Sequence, residues 1–384
     1  MLERIKKINF SQIDYVILFC MTVLIGVGLY SIYQSDVHKA KPSSLFTSQV
    51  LGIGLGLGVF IVLLFIDYQF ICKFAWLYYI GINGLLLLTL RSKPINYVRR
   101  WITLGEIQFQ TSELAKVVMI IVISYLCNKL KNRMNKFYVF FILCAVMVIP
   151  IVLILKEPHL SSTVAFFVIF CVMLFSAGLS YKIIITMALI VTIGFGGIFF
   201  GVTKLKLNIP FIKDYMIGRI ENFLASDSEE NKDAKRQTNK AVVAIHSGGA
   251  YGKMLDPKEK DTDRKYGNIY ANESDFIFSV VGEEFGFIGC TIILFMYLLL
   301  ILRCLNIAAH APDYLGRMIC IGVSSLFLFQ TFVNVGVATD LLPNTGQPLP
   351  FISYGMTSLI SSIVSVGFVI NVGMRRRGRE YKEN

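Results

Sequence analysis

The chain has 384 residues, 55% of them hydrophobic and only 16% charged, with a mean hydropathy of +0.64. A soluble domain carries roughly 25% charged residues, so this composition excludes an ordinary soluble fold. A net charge of +12 would suggest nucleic acid in a soluble chain; here the cations cluster at the ends of apolar blocks, with no basic stripe among exposed aromatics, which points to orientation in an anionic membrane.

The apolar blocks approach the ~20 residues that cross a hydrocarbon core as helix. Ten spans are predicted, at 13–33, 45–66, 70–90, 112–128, 137–155, 160–179, 182–203, 275–303, 316–338 and 351–373. The first follows Lys6 and Lys7 but is too long for a signal peptide and lacks a small-residue cleavage pattern. The expected architecture is an all-α integral membrane protein, one polytopic domain over 1–384, with a long extracytoplasmic loop at 204–274 between spans seven and eight. Lys129, Lys131, Arg133, Lys136, Arg303, Arg317 and the Arg375–Arg379 run fall on the same side as Lys6, so the positive-inside rule makes both termini cytoplasmic. Within the long loop, Ser226 to Lys240 reads as flexible. The eight cysteines lie in or beside apolar blocks and read as packing thiols rather than a disulfide framework or metal site. No internal repeat supports an inverted-repeat transporter.

Residues 91–111 break the charge rule, because Arg91, Lys93, Arg99 and Arg100 fall outside. Either the count is off or these cations meet an anionic ligand. Next comes Trp101, suited to the membrane interface, then Ser112 as a helix cap. Glu113 and Lys116, three apart, share a helix face. These two read as a structural ion pair or as phosphate-binding groups, and the residues alone favour the former. Lys156-Glu157-Pro158-His159 holds a lone histidine without the cluster a metal needs.

Inside the long loop, His246-Ser247-Gly248-Gly249-Ala250-Tyr251-Gly252-Lys253 fails the P-loop spacing and reads as a tight turn or as backbone that approaches a ligand closely. Asp275 stands where polar loop becomes apolar helix. With Ser274 it reads as a helix cap; with Phe276, Ile277 and Phe278 desolvating it, it reads equally as a general base. Glu283 and Glu284 follow about two turns deeper and need partners or a polar cavity. The segment Leu342 to Gly355, with three prolines, forbids a regular helix and must be buried or line a cavity.

Taken in order, RRWITLG, FQTSELAK, AIHSGGAYGK, SDFIFSVVGEEFGFIG and LLPNTGQPLPFISYG resemble the motifs of the SEDS family, the shape, elongation, division and sporulation proteins of bacteria. The resemblance covers essentially the whole chain, and the short N-terminus and overall length are more similar to the elongation members than to the division members. It implies a peptidoglycan glycosyltransferase of the cytoplasmic membrane that polymerises lipid II, a polyprenyl-diphosphate-linked disaccharide-peptide, at the outer face. It also implies pairing with a class B penicillin-binding transpeptidase. The family's essential aspartate maps to Asp275, and the substrate-binding set is expected to be Arg100, Glu113, Lys116, Lys253, Glu283 and Ser353. No cofactor is fixed by the resemblance; a divalent cation, magnesium or manganese, is a candidate beside Arg100 and Lys116 for taking up leaving-group charge. Four positions depart from the family pattern: His159 for an aspartate, His246 for a glycine, Thr111 for a proline and Met356 for a second glycine. The rival readings are a lipid II flippase and a non-catalytic scaffold for the transpeptidase.

Overall fold

The computed structural model describes residues 12–37, 45–92, 99–104, 107–134, 136–157, 160–179, 189, 232–254 and 264–375. The helices follow the apolar runs. In chain order they are α1 (Tyr15–Val37), α2 (Leu45–Phe65), α3 (Tyr68–Lys73), α4 (Ala75–Leu90), α5 (Thr111–Leu130), α6 (Phe137–Lys156), α7 (Leu160–Ser176), α8 (Lys232–Ser247), α9 (Ile277–Ala309), α10 (Tyr314–Ala338) and α11 (Met356–Gly373). Six of them, α1, α2, α6, α9, α10 and α11, are long and apolar enough to cross a membrane; α4 and α7 are shorter apolar helices. Of the span expected at 182–203, only residue 189 lies among the described residues.

α10 and α11 form the centre of the bundle, with α5, α7 and α9 packed on α10 and α2 packed on α11. Their small and hydroxylated residues allow close approach: Ser324, Ser325, Ser358, Ser361, Ser362 and Ser365 are all buried. On the outer helices, Phe19, Leu55, Ile80, Phe141, Phe295 and Leu302 are exposed. In water such a band would be unstable, but against lipid tails it is the expected surface.

The helix ends sort into two groups. At one end Arg303 of α9 pairs with Asp14 ahead of α1 at 2.6 Å. Asp313 caps α10 through Gly316 N at 2.7 Å and takes a bond from Gln69. Arg375 reaches Asn371 at 2.7 Å, and Lys131 lies over the Tyr314 ring. The opposite end gathers the starts of α2, α5, α7, α9 and α11, and there the polar network of the candidate site lies.

Three expectations change. Ser112 does not cap α5; the helix starts at Thr111 after Gln110, whose side chain makes no capping bond, because the antiparallel hairpin β1 (Trp101–Leu104) and β2 (Ile107–Gln110) delivers the chain directly into the helix. Ser274 and Asp275 do not cap α9, whose N-cap is Phe276. From Lys232 onward the stretch expected to be flexible is helix α8, because Thr238, Ala241 and Ala244 line a stripe that buries against α9.

Candidate active site

Asp275 is positioned by the loop between α10 and α11. Hydrogen bonds from this loop and from Asn334 of α10 hold the segment before α9. Asn334 donates its Nδ2 to Asp275 O at 3.0 Å and to Gln347 O at 2.8 Å. Ser353 Oγ donates to Ser274 O at 2.7 Å while accepting from Leu349 N at 2.8 Å. Tyr354 N donates to Glu273 O at 2.8 Å. The Asp275 carboxylate lies so close to Gly346 that a Cβ there would meet Oδ2 at 3.2 Å, and Gly346 takes a φ of +71°. Gly346 is therefore favoured by its left-handed conformation, and a side chain there would crowd the Asp275 carboxylate.

The loop holds strain as well. Phe351 has a φ of +67°, unusual for a bulky side chain, and is fixed by packing on Phe327 at 5.4 Å between ring centroids. Helix α1 comes close here, since a Cβ on Gly28 would lie 2.7 Å from Phe351 O. A backbone held this firmly in a sparse region is a mark of a functional segment. Next to Gly346, Asn344 Oδ1 and Thr345 Oγ1 are buried without a hydrogen-bond partner among the described residues.

Lys116 and Glu113 stand behind this loop. Both are almost fully buried and pair at 2.7 Å. Lys116 Nζ also lies 3.4 Å from Gln347 Oε1, Gln347 Nε2 donates to Ser162 Oγ at 3.4 Å, and Gln330 Nε2 donates to Glu113 Oε2 at 3.3 Å. Gln347 is thus the hub that joins the ion pair to the Asp275 frame. Arg100, just ahead of β1, is buried and donates from Nε to Glu157 O at 3.3 Å, which ties the hairpin to the end of α6.

Lys253 and Glu283 belong to a second cluster with a different task. They pair at 2.8 Å, both buried. Glu283 also accepts from Ser247 Oγ at 3.0 Å, Lys265 N at 2.8 Å and Tyr266 N at 2.9 Å. Glu284 accepts from Tyr266 OH at 2.9 Å and Tyr30 OH at 3.3 Å, with Arg264 Nε 2.8 Å away. Burial and the neighbouring Glu284 carboxylate both push the Tyr266 phenol well above its ordinary range.

The same cluster explains the glycines of the loop. α9 is interrupted at Gly286, with a φ of +67°, which frees main-chain groups around the break. The loop satisfies them: Lys253 N bonds Glu283 O at 3.0 Å, Met254 N bonds Glu284 O at 3.0 Å, and Phe287 N bonds Gly249 O at 2.9 Å. A Cβ on Gly248 or Gly252 would run into Gly282 O or Glu284 O. The backbone that these glycines approach is therefore α9.

Among the sequence-predicted residues, the structure thus brings Asp275, Ser353, Glu113 and Lys116 into one hydrogen-bonded region. It places Arg100 at the adjoining hairpin, and it commits Lys253 and Glu283 to a buried clamp. Asn334, Gln347, Gln330 and Ser162 complete the first group, and Arg264 and Tyr266 the second. A polar residue such as Gln347 between glycine and proline, in a segment that must be buried, is the signal that could have found it.

The family model FTSW_RODA_SPOVE, described as cell cycle protein, matches residues 11–378, and the chain belongs to this family. The probable peptidoglycan glycosyltransferase FtsW of Geobacter sp. (strain M18) is 32% identical, covering 95% of this chain and 98% of that protein. The peptidoglycan glycosyltransferase RodA of Treponema pallidum (strain Nichols) is 26% identical over 95% and 98%. A chain from a solved peptidoglycan synthase complex, described as coordinating polymerization and crosslinking, superposes with a TM-score of 0.78 at 25% identity, covering 95% of this chain and 98% of that one. The rod shape determining protein RodA of Thermus thermophilus superposes at 0.68 with 23% identity over the same shares, a likeness of fold.

Proposed function

We propose that the protein is a peptidoglycan glycosyltransferase that polymerises lipid II into glycan strands at the outer face of the bacterial cytoplasmic membrane, in elongation, division or sporulation. The observation that carries this reading is the Asp275 carboxylate set against Gly346, in a frame whose hub Gln347 reaches the Lys116–Glu113 pair. Full-length relatives named as peptidoglycan glycosyltransferases support it.

In this mechanism Asp275 takes the proton of the acceptor sugar hydroxyl as that oxygen bonds to the donor's anomeric carbon. The bond from that carbon to the diphosphate oxygen breaks with inversion, and the polyprenyl diphosphate leaves with its electron pair. Asn334 and Ser353 hold the main chain on either side of the base, so the carboxylate is pre-positioned. Asn344 Oδ1 and Thr345 Oγ1 are suited to sugar hydroxyls or amides. Arg100 and Lys116 set the positive field for the departing diphosphate. Among the described residues no group of three or more His, Cys, Asp or Glu side chains could hold a metal ion; a divalent cation carried on the diphosphate would take up leaving-group charge there, and no step is routed through it.

The topology belongs to the same reading. The basic end of the bundle is cytoplasmic, with both termini, and the site end faces outward. α7 ends at the basic end, where Tyr314 OH donates to Ala177 O, while α9 starts at the other, which supports ten spans in a single domain with the 204–274 loop outside. The partner is a class B penicillin-binding transpeptidase, a proposal supported by the synthase complex among the similar structures.

The test is incubation of purified protein with lipid II, with and without the cognate transpeptidase, and separation of products by gel. Ladders of glycan polymer are expected. Precursor that moves across liposomes without forming polymer would instead establish the flippase, and stimulation of the transpeptidase alone would establish the scaffold.

A further inference from the structure

Among the buried acids that the mechanism does not use, Glu157 stands apart. Glu157 follows the last residue of α6, its side chain is fully buried, and neither Oε1 nor Oε2 has a hydrogen-bond partner among the described residues. A carboxylate anion there would have lost water without gaining a donor, which is far costlier than taking up a proton. Arg100 is adjacent, yet its Nε bond goes to the main-chain oxygen of Glu157. The hydroxyl of Ser161, at the start of α7, is likewise buried without a partner.

Among the described residues, these charged groups lie on the surrounding elements: Arg100 lies in the segment ahead of β1, Lys156 precedes Glu157 in α6, and Glu113 and Lys116 on α5 pair with each other. Desolvation outweighs the pull of the Arg100 cation and pushes the Glu157 carboxyl up to about 8. The group is then chiefly neutral at physiological pH.

We propose that Glu157 serves as a neutral carboxylic acid whose O–H donates a hydrogen bond to a phosphate oxygen of the lipid-linked donor, beside the Arg100 cation. The identity of this ligand rests on the transferase reading. The chemistry suits a diphosphate: a protonated acid is a donor without the negative charge that would repel it. Arg100 supplies charge, Glu157 and Ser161 supply neutral donors, and the ligand satisfies polar atoms that have no partner among the described residues. When Glu157 loses its proton, the donor disappears and an anion faces the phosphate.

The experiment measures binding of a polyprenyl diphosphate to the detergent-solubilised full chain on both sides of pH 8. Wild type is expected to lose about tenfold in affinity per pH unit of deprotonation relative to Glu157→Gln. The glutamine variant, an uncharged donor, keeps its affinity across the range apart from the ligand's own titration. Glu157→Ala binds weakly at every pH. Parallel loss in wild type and Glu157→Gln, or full affinity in Glu157→Ala, overturns the proposal. Infrared spectra supply a second readout: a protonated-carboxyl C=O band at neutral pH, absent from Glu157→Gln. Absence of that difference also overturns it. Because binding and the infrared band are read without polymer formation, failure of the transferase reading would show separately.

Discussion

Replacing Glu283 with alanine is expected to destabilise the protein, not merely to weaken substrate binding. The fully buried carboxylate accepts from Lys253 Nζ, Ser247 Oγ, and the main-chain N–H groups of Lys265 and Tyr266 at 2.8–3.0 Å. Truncation takes its Glu283 counter-charge from an ammonium that is only 6% exposed, and leaves two main-chain donors without that acceptor. Removing one member of a buried ion pair costs about 3–5 kcal/mol. The orphaned donors add about 1–3 kcal/mol each where they stay dry. The assay is unfolding of the purified protein by titration with a denaturing detergent. The variant should unfold at a clearly lower detergent fraction, and Glu283→Met combined with Lys253→Met should regain much of the loss, since no unpaired charge remains. Unfolding of Glu283→Ala at the wild-type midpoint, with lipid II affinity alone reduced, would refute this reasoning and return Glu283 to the substrate site.

Three more outcomes follow from the same structure. Gly252→Ala should cost more than Gly249→Ala in the same titration: both positions have φ above +50°, a strain of about 1–2 kcal/mol for alanine, but only at Gly252 would the new Cβ strike α9, while Gly249 has open space. Lys116→Met should destabilise by about 3–5 kcal/mol by leaving Glu113 buried and unpaired, and the Lys116→Met/Glu113→Gln pair should recover stability without recovering polymer formation. Stability should also fall with pH through Glu157. Its carboxyl is raised from 4.5 to about 8, so the folded state holds a proton that the unfolded chain releases; the full contribution is present below 4.5 and is lost as pH rises to about 8, at most about 5 kcal/mol at 1.36 kcal/mol per unit. Denaturation curves across that window should flatten in Glu157→Gln.

Much of the fold was legible because lipid imposes a simple rule: apolar runs of sufficient length become helices. α2 and α6 fall within a residue of their predicted limits. The stretch from Lys232 was misread as flexible because it is polar on average, and its buried stripe of Thr238, Ala241 and Ala244 is built of small side chains. The break in α9 at Gly286 was invisible because a single glycine in an apolar run is compatible with helix; only the three-dimensional approach of Gly248 and Gly252 requires it. At the site, Asp275 and the Glu113–Lys116 pair could be picked out from charge in apolar surroundings. Asn334 could not, since its role comes from a contact across 59 residues of chain; Gln347 was marked only by its place between glycine and proline in a segment that must be buried, and its link to Lys116 spans 231 residues. Glu283 and Glu284 read from the sequence as needing partners or a polar cavity; the structure pairs Glu283 with Lys253 and Glu284 with Arg264.

The most direct test of the central claim is polymer yield from lipid II with Asp275→Asn, an uncharged side chain of nearly the same shape. Asn334 donates to the main-chain oxygen of residue 275 and Ser353 to that of Ser274, bonds that do not involve the carboxylate, so the frame and the unfolding midpoint should be retained. The account predicts a folded protein that makes no polymer under conditions where wild type does, a loss of at least the 10²–10⁴-fold that a general base contributes. Wild-type yield from Asp275→Asn would contradict it.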